Sequence, residues 1–430
     1  MIKIVFFDVD GTLLSEKSLR IPPSAVYSLG ELQKKGIKII AATGRGPYVS
    51  HLLEKETGLI FDGYISLNGQ YCFTAKEILY KEAIDKTDIF KLGEFLENNS
   101  VSCDFLGEDF ILRNKESKEA NLSDSHLGEM ASPFIYSPLS QILDRTIYQI
   151  KAYIPQKRDR ELEELLPASS LLRWKELYTA IFAKNGGKHQ GVKIFLNHFG
   201  LEKNESLGFG NGSNDLLFFN EIGSSIAMAD SPRLLKEKAS YISSAPDEDG
   251  IYEGLLKFEL IPQAELWDAL YEDETPAGFY LVRNLAIAKG YYHLVVEVII
   301  SHQDGDYLLV RRSKEKNKLP GRWESSASGS ALPGESSLEA AKREVKEETG
   351  IDRGDFTFLS RRVYPELGAI FHDYHCLTDF DKNALVMQKG ETDQYRWLSK
   401  KDFLSFMDSD KSIPWQKDHL NPYLLKIKKE

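Results

Sequence analysis

The chain is short of cysteine, of long apolar runs and of positive charge, and each shortage removes a class of protein. Only three cysteines, Cys72, Cys103 and Cys376, occur in 430 residues, and none has a close-spaced partner. That excludes a disulfide framework and a thiolate zinc site, and it predicts free thiols in a reducing compartment. No apolar stretch approaches the roughly 20 residues that cross a bilayer, so no membrane partner is expected. The apolar part of MIKIVFFDVDG is too short for the core of a signal peptide, which predicts a cytoplasmic protein. Acidic residues outnumber basic ones, 65 to 54, for a net charge of -11. That balance argues against nucleic acid as the main partner. It leaves small phosphorylated substrates open, because local cations decide their binding.

Hydrophobic residues make up 42% of the chain, enough for two or three domains with sound cores at this length. The most informative stretch is GSALPGESSLEAAKREVKEETGI. It sets Gly329, Glu335, Arg343, Glu344, Val345, Glu347, Glu348, Gly350 and Ile351 at the spacing G-x5-E-x7-R-E-U-x-E-E-x-G-U, where U is a bulky aliphatic residue. Ser336 and Glu339 form a capping box, a helix is predicted through Thr349, and Gly350 stops it. Glu344, Glu347 and Glu348 then share one helix face. Like charges so placed repel unless cations neutralise them, and an all-oxygen donor set suits Mg2+ or Mn2+. The pattern resembles the Nudix box. That resemblance implies hydrolysis of a diphosphate linkage, with Glu344, Glu347 and Glu348 as metal ligands and Glu347 among the catalytic groups. Glu335 and the Gly329 carbonyl are weaker ligand candidates, and Arg343 orients the carboxylates.

The first half carries a different set of motifs. Ile2–Phe7 is an apolar run interrupted only by Lys3 and ending in Asp8-Val9-Asp10-Gly11-Thr12. Ile37–Ala42 ends in Thr43-Gly44-Arg45, and Ser206–Gly210 ends in Asn211-Gly212-Ser213-Asn214-Asp215. Lys188 precedes the third strand, at a helix start. Polar clusters at strand ends converge on the carboxyl edge of a doubly wound parallel sheet, where ligands bind. Over about Met1 to Phe258 the chain resembles the haloacid dehalogenase superfamily, in its Cof-like branch with a type IIB cap. Asn68-Gly69, Ala227-Met228, Lys236 and Asp249-Gly250 match that branch as well. The resemblance implies that Asp8 is a nucleophile forming an aspartyl-phosphate and that Asp10 is the acid and base. It also implies that Thr43 and Lys188 bind the transferring phosphoryl group, with Mg2+ among Asp8, the Asp10 carbonyl and the third strand end. Gly44, Arg45 and Asn214 are substrate-binding candidates. Two departures stand out. Asn211 replaces the branch's usual Asp, with Asp215 left as a direct or outer ligand, and Asp230 replaces the usual Asn in AMADS.

The expected architecture is α/β throughout. A doubly wound Rossmann-like core spans 1–82 and 185–259, with an inserted α/β cap at 83–184. A C-terminal α/β/α Nudix domain follows at 260–430. In the cap, Lys86–Asn98 and Arg158–Leu166 are predicted helices, and Phe110–Arg113, Thr146–Ile154 and Leu177–Phe182 predicted strands. In the last domain, His293–Ile300 and Tyr307–Arg311 are predicted strands joined at Asp304-Gly305. Over about Pro262 to Met407 the chain is similar to the Nudix subgroup of isopentenyl-diphosphate isomerase. Arg312 and Lys316 are then candidates to clamp a diphosphate, and Trp323 is expected to pack. Glu391 is a further candidate base or ligand. The isomerase needs a cysteine just before the box glycine, where this chain has Ser328, and imidazole ligands, yet no histidine occurs from Leu319 through Phe371. Hydrolysis of a nucleoside-diphosphate-like substrate fits better. Two alternatives stay open: a first half that binds or regulates without turnover, as Asn211 suggests, and isomerisation.

Overall fold

The apolar segment that follows the first three residues becomes the central strand of a sheet. All five residues of β1 (Ile4–Asp8) are buried, as a strand covered on both faces requires. The computed structural model describes residues 1–127, 133–315, 319–410 and 412–429. Its contacts divide it into two units, Met1–Gln263 and Ala264–Glu430.

In the first unit β1 is followed by β2 (Lys38–Ala42), β3 (Gly63–Ser66), β4 (Tyr71–Phe73) and β5 (Ile78–Lys81). The chain then leaves for an inserted layer with β6 (Cys103–Leu106), β7 (Ile111–Arg113), β8 (Ile135–Tyr136), β9 (Gln149–Ala152), β10 (Ser169–Lys175) and β11 (Tyr178–Ala183). It returns through the helix Lys188–Phe199 to β12 (Ser206–Gly210), β13 (Ser224–Ala227) and β14 (Tyr241–Ile242). The core sheet has the order β14-β13-β12-β1-β2-β3-β4-β5, parallel from β14 to β3. Alternate residues Ile4 and Phe6 of β1 pack with Val192 and Phe195 of the returning helix. The order reverses about β1, so the carboxyl ends of β1, β2 and β12 border one crevice.

The inserted sheet, in the order β10-β11-β9-β6-β7-β8, buries one face under the helices Lys86–Asn99 and Asp159–Leu165. Phe105, Ile150 and Ile181 meet Leu92, Leu96 and Leu162 there. The strand predicted over Thr146–Ile154 is shorter, Gln149–Ala152. Its flanks, Tyr148 and Tyr153, still donate to the Leu106 and Ser102 carbonyls, at 3.0 Å each, without continuing the ladder.

The second unit opens with the hairpin β15 (Leu266–Leu270) and β16 (Pro276–Val282). Its main sheet holds β17 (His293–His302), β18 (Tyr307–Arg312), β19 (Trp323–Glu324), β20 (Ser326–Ser330), β21 (Asp355–Tyr364), β22 (Ala369–Thr378) and β23 (Thr392–Leu398). β17 runs parallel to β22 over its whole length and antiparallel to β20. Val296 and Val298 of β17 face the helix Ser337–Thr349 through Ala340, Ala341 and Val345. Ile299 faces the opposite layer, where Leu309 meets Phe403 and Leu420. Helix, sheet and helix thus form three layers. Glu297 lies on the second face of β17, among valines and isoleucines. It is buried and satisfied, accepting from Arg362 at 2.9 Å and facing His419 Nδ1 at 3.1 Å. Strand periodicity alone gave no sign of that polar contact.

Candidate active sites

In the first unit the strand ends bring Asp8, Asp10, Thr43, Lys188, Asn211 and Asp215 together. Asp8 closes β1, and its Oδ1 pairs with Lys188 Nζ, carried by the first residue of the helix Lys188–Phe199. Lys188 also pairs with Asp215 at 2.8 Å, and both of its partners are buried. Thr12 Oγ1 donates to Asp8 Oδ2 at 3.0 Å and to Asn211 Oδ1 at 3.4 Å. Burial raises the Asp8 carboxyl to about 7 against the pull of Lys188, and Asp215 adds to the rise. Both oxygens of Asp215 are engaged, Oδ1 by Lys188 and Oδ2 by the N–H groups of Asn211 and Gly212 at 3.0 and 2.9 Å. Thr43 Oγ1 accepts from the Arg45 N–H at 3.1 Å.

Asp10 stands apart from Asp8 in its partner. Arg45 grips it through Nε at 3.0 Å and Nη2 at 2.6 Å. Burial alone would raise its pKa, but the guanidinium overrides burial and holds it below the usual carboxylate range. Gly11 sits at φ +82°, in the left-handed region that favours glycine, and the Asn211 amide occupies the space where a Cβ would lie, 1.9 Å from Nδ2. Asn68, itself at φ +54°, donates to Gln149 Oε1 at 2.8 Å, and Gln149 Nε2 donates to the Gly44 carbonyl at 3.2 Å. Asn214 Nδ2 lies 3.4 Å from Asn68 Oδ1. Asp230, in AMADS, is raised by partial burial. Gln149 was not among the sequence candidates. Its signal was the alternation of QIKA, in which Ile150 and Ala152 face the apolar layer and Gln149 and Lys151 face away.

In the second unit the helix Ser337–Thr349 starts at Ser336 in a full capping box with Glu339 and ends on Gly350 at φ +78°. Arg343 is the hub. It bonds Glu335 at 2.8 and 2.9 Å, Glu344 at 2.6 Å, Glu347 at 3.2 Å and the Ser330 carbonyl at 2.9 Å. Glu335 also accepts from the Leu332 N–H at 2.9 Å. Burial raises the Glu344 carboxyl despite Arg343, while the same guanidinium draws Glu335 down against burial. A Cβ on Gly329 would lie 2.0 Å from Glu344 Oε1, so the absence of a side chain there is what seats that carboxylate against the backbone.

The three helix acids differ in setting. Glu347 is 46% exposed, Glu344 is mostly covered, and Glu348 is buried beneath the 388–392 segment, whose Thr392 hydroxyl bonds the Glu348 carbonyl at 3.2 Å. Among the described residues no three histidine, cysteine, aspartate or glutamate side chains already converge as a cage for an ion. Arg343 bridges Glu344 and Glu347 instead. The donor atoms are nonetheless all oxygen, in both units, and acids outnumber bases at each cluster. That chemistry fits Mg2+ or Mn2+. Arg312 pairs with the buried Glu324 at 3.1 Å across β18 and β19. Lys316 lies outside the described residues. Trp323 packs, with Arg396 stacked 4.3 Å from its ring centroid. The Glu391 carbonyl accepts from the Ser313 N–H at 2.8 Å, tying its loop to the end of β18.

His293 was not a sequence candidate. It stacks on Trp267 at 4.0 Å between centroids and faces Ser330 Oγ at 3.3 Å. Burial pushes its imidazole down to about 4 from 6.5. The unfolded chain therefore holds an extra proton between those two values. Stability from this group is complete above pH 6.5 and is lost as pH falls towards 4, at up to about 1.4 kcal/mol per unit. Denaturant titrations of His293→Gln should lack that slope; an unchanged slope would assign it elsewhere.

The first unit thus sets a strand-end Asp against a buried lysine at the carboxyl edge of a doubly wound sheet, and the second seats a glutamate-rich helix on a glycine. The comparisons place both units in hydrolase families. Residues 5–255 match the family of haloacid dehalogenase-like hydrolases, and residues 291–418 match the NUDIX domain. The chain belongs to the haloacid dehalogenase-like hydrolases and carries a C-terminal Nudix hydrolase domain. The Bacillus subtilis (strain 168) protein YkrA is 26% identical over 254 residues, 58% of this chain and 95% of its own. The Listeria monocytogenes Nudix hydrolase lmo0368 is 36% identical over 152 residues, 35% of this chain and 89% of its own. The solved structure of the haloacid dehalogenase subclass IIB sugar phosphatase BT4131 superposes with a TM-score of 0.55. It is 29% identical and covers 60% of this chain and all of its own. No described helix is long and apolar enough to cross a membrane. All three cysteines are buried and free.

Proposed function

We propose that the chain is a two-headed, metal-dependent hydrolase, a phosphomonoesterase in the first unit and a nucleoside-diphosphate-type diphosphohydrolase in the second. The observation that carries the first reading is the buried Asp8–Lys188–Asp215 chain beneath an open cavity. Asp8 attacks phosphorus, the ester oxygen leaves with a proton from Asp10, and an aspartyl-phosphate forms. Water then attacks that phosphorus, gives its proton to Asp10 and releases inorganic phosphate with Asp8 restored. Lys188 offsets charge on the phosphoryl oxygens, and Thr43 lies at the end of β2 to bond them. The grip of Arg45 suits Asp10 to the base role, and substrate drawing on that guanidinium frees it for the acid role. Mg2+, held by Asp8, the Asp10 carbonyl and Asn211, would neutralise the phosphoryl group, with Asp215 in an outer position because both its oxygens already serve Lys188 and the 211–212 backbone.

In the second unit Glu344, Glu347 and Glu348 would hold Mg2+ or Mn2+, which supplies charge neutralisation and a more acidic water. Arg343 and Glu335 orient Glu344, and Gly329 leaves it room. Gly329→Ala should displace that carboxylate and cut diphosphate hydrolysis by roughly 10- to 100-fold. Steady-state rates on nucleoside diphosphate derivatives check it, and an unimpaired rate would show that Glu344 needs no such seat.

A second reading keeps the first unit as a binding module without turnover, and Asn211 favours it, since a neutral amide is a weaker Mg2+ ligand than carboxylate. An aryl phosphate assay with Mg2+ separates the two. The phosphatase reading expects turnover by the unaltered protein, with Asn211→Asp mainly lowering the Mg2+ needed. Turnover seen only in Asn211→Asp would establish the binding module.

A further inference from the structure

The floor of the first unit's cavity accounts for one end of a substrate, the phosphoryl group. Its roof holds a cation that the chemistry above does not use. The cavity encloses about 420 Å³, within the range of small-molecule sites. Asp8, Asp10 and Arg45 line it from the core, and Leu106, Lys151 and Tyr178 from the inserted sheet. Lys151 reaches it because β9 alternates, Ile150 and Ala152 turning into the apolar layer and Gln149 and Lys151 away from it. Gln149, two residues before, is pinned to Asn68 and Gly44 at 2.8 and 3.2 Å, which fixes the height of that strand over the site.

Among the described residues no side chain pairs with this ammonium directly. The Lys151 side chain makes no hydrogen bond and no ion pair there, and its Nζ sits 5.4 Å from the Tyr178 ring centroid. The carboxylates that act on it are Asp104, Asp10 and Asp124. Each already belongs to an arginine. Asp104, its cross-strand neighbour, is clamped by Arg113 at 2.6 and 3.0 Å and by the Tyr153 hydroxyl at 2.7 Å. Asp124 takes the other side of Arg113 at 2.7 and 3.2 Å, and Asp10 is held by Arg45. Burial accordingly draws the Lys151 pKa below that of a free lysine. A cation desolvated without a partner is costly, and the cost is recovered only if an anion arrives from outside.

We propose that the first unit takes phosphate monoesters whose leaving group carries a second anionic group, and that Lys151 is the specificity-determining residue that receives that group. The inference rests on the phosphatase reading of the same site. The second anion is a carboxylate or a second phosphate. A neutral leaving group leaves the ammonium unpaired in the cavity, and rejection of that kind discriminates more strongly than a change of shape.

Matched pairs test it, glycerol phosphate against phosphoglycerate and hexose 6-phosphate against phosphogluconate and a hexose bisphosphate. The last two arms separate carboxylate from phosphate. The unaltered protein should favour the doubly charged member by about 10- to 100-fold in kcat/KM, as a charge-assisted bond to a partly buried cation provides. Lys151→Gln should bring that ratio close to one, and Lys151→Arg should keep most of it. A ratio near one in the unaltered protein, or one that Lys151→Gln leaves in place, overturns the proposal. Calorimetric binding of the same pairs to Asp8→Asn protein asks the question without turnover. Charge discrimination in binding, with no phosphate released by the unaltered protein, would fell the phosphatase reading and support the role of Lys151. Turnover with equal binding of both members would do the reverse.

Discussion

Asp8→Asn should abolish phosphate release from every phosphomonoester, by at least about 10³-fold, because it removes the atom that bonds phosphorus. The substitution is close to isosteric, and it removes the charge that pairs with Lys188. Lys188 keeps Asp215 at 2.8 Å as a counter-ion, so the buried ammonium is not left bare and the unit should still fold. Thr12 keeps an acceptor at position 8, since an asparagine carbonyl can replace the carboxylate oxygen it now bonds. The loss should therefore appear in kcat at unchanged thermal stability. Circular dichroism melting beside phosphate release checks both parts. A fall in activity matched by a fall in stability would trace the defect to folding instead.

Glu347→Gln is expected to lower diphosphate hydrolysis by about 10²- to 10³-fold, the scale of losing one charged group from a site that stabilises developing charge. Glu347 is the acid most open to solvent, and Arg343 touches it only at 3.2 Å. Its removal leaves the bonds of Arg343 to Glu335 and Glu344 in place, so little stability is at stake. Glu339→Ala, on the same helix, is the control. Glu339 serves the capping box, and its loss should weaken the helix start without reaching the acids. Hydrolysis rates of the two variants over a range of Mg2+ and Mn2+ concentrations check this. Equal losses would locate the effect in helix stability rather than in the cluster.

Much of the first site could be placed from sequence because its residues ride on strand ends. A buried parallel strand is an unbroken apolar run, and the polar residue that ends it must emerge at the carboxyl edge. Asp8, Thr43 and Asn211 are placed in this way, and Lys188 by its helix start. The glutamate helix was equally legible, since Ser336, Glu339 and Gly350 mark its two ends. What could not be read depends on pairing at long range. The grip of Arg45 on Asp10, the seat of Glu344 on Gly329 and the pairing of Arg312 with Glu324 all join residues whose neighbours in sequence carry no trace of them. The inserted sheet hid its contribution differently. Its strands read as strands, but which face of QIKA meets the site follows only from which face the helices cover. Gln149 and Lys151 were therefore invisible as site residues until the layers were in place.

Two separate hydrolytic centres in one chain are tested most directly by a crossed assay. Phosphate release from an aryl phosphate and cleavage of a nucleoside diphosphate derivative should be timed in parallel for the unaltered protein, Asp8→Asn and Glu347→Gln. Two centres predict that the unaltered protein performs both reactions, that Asp8→Asn loses only the first and that Glu347→Gln loses only the second. A single substitution that silenced both reactions, or a reaction that survived both substitutions, would contradict it.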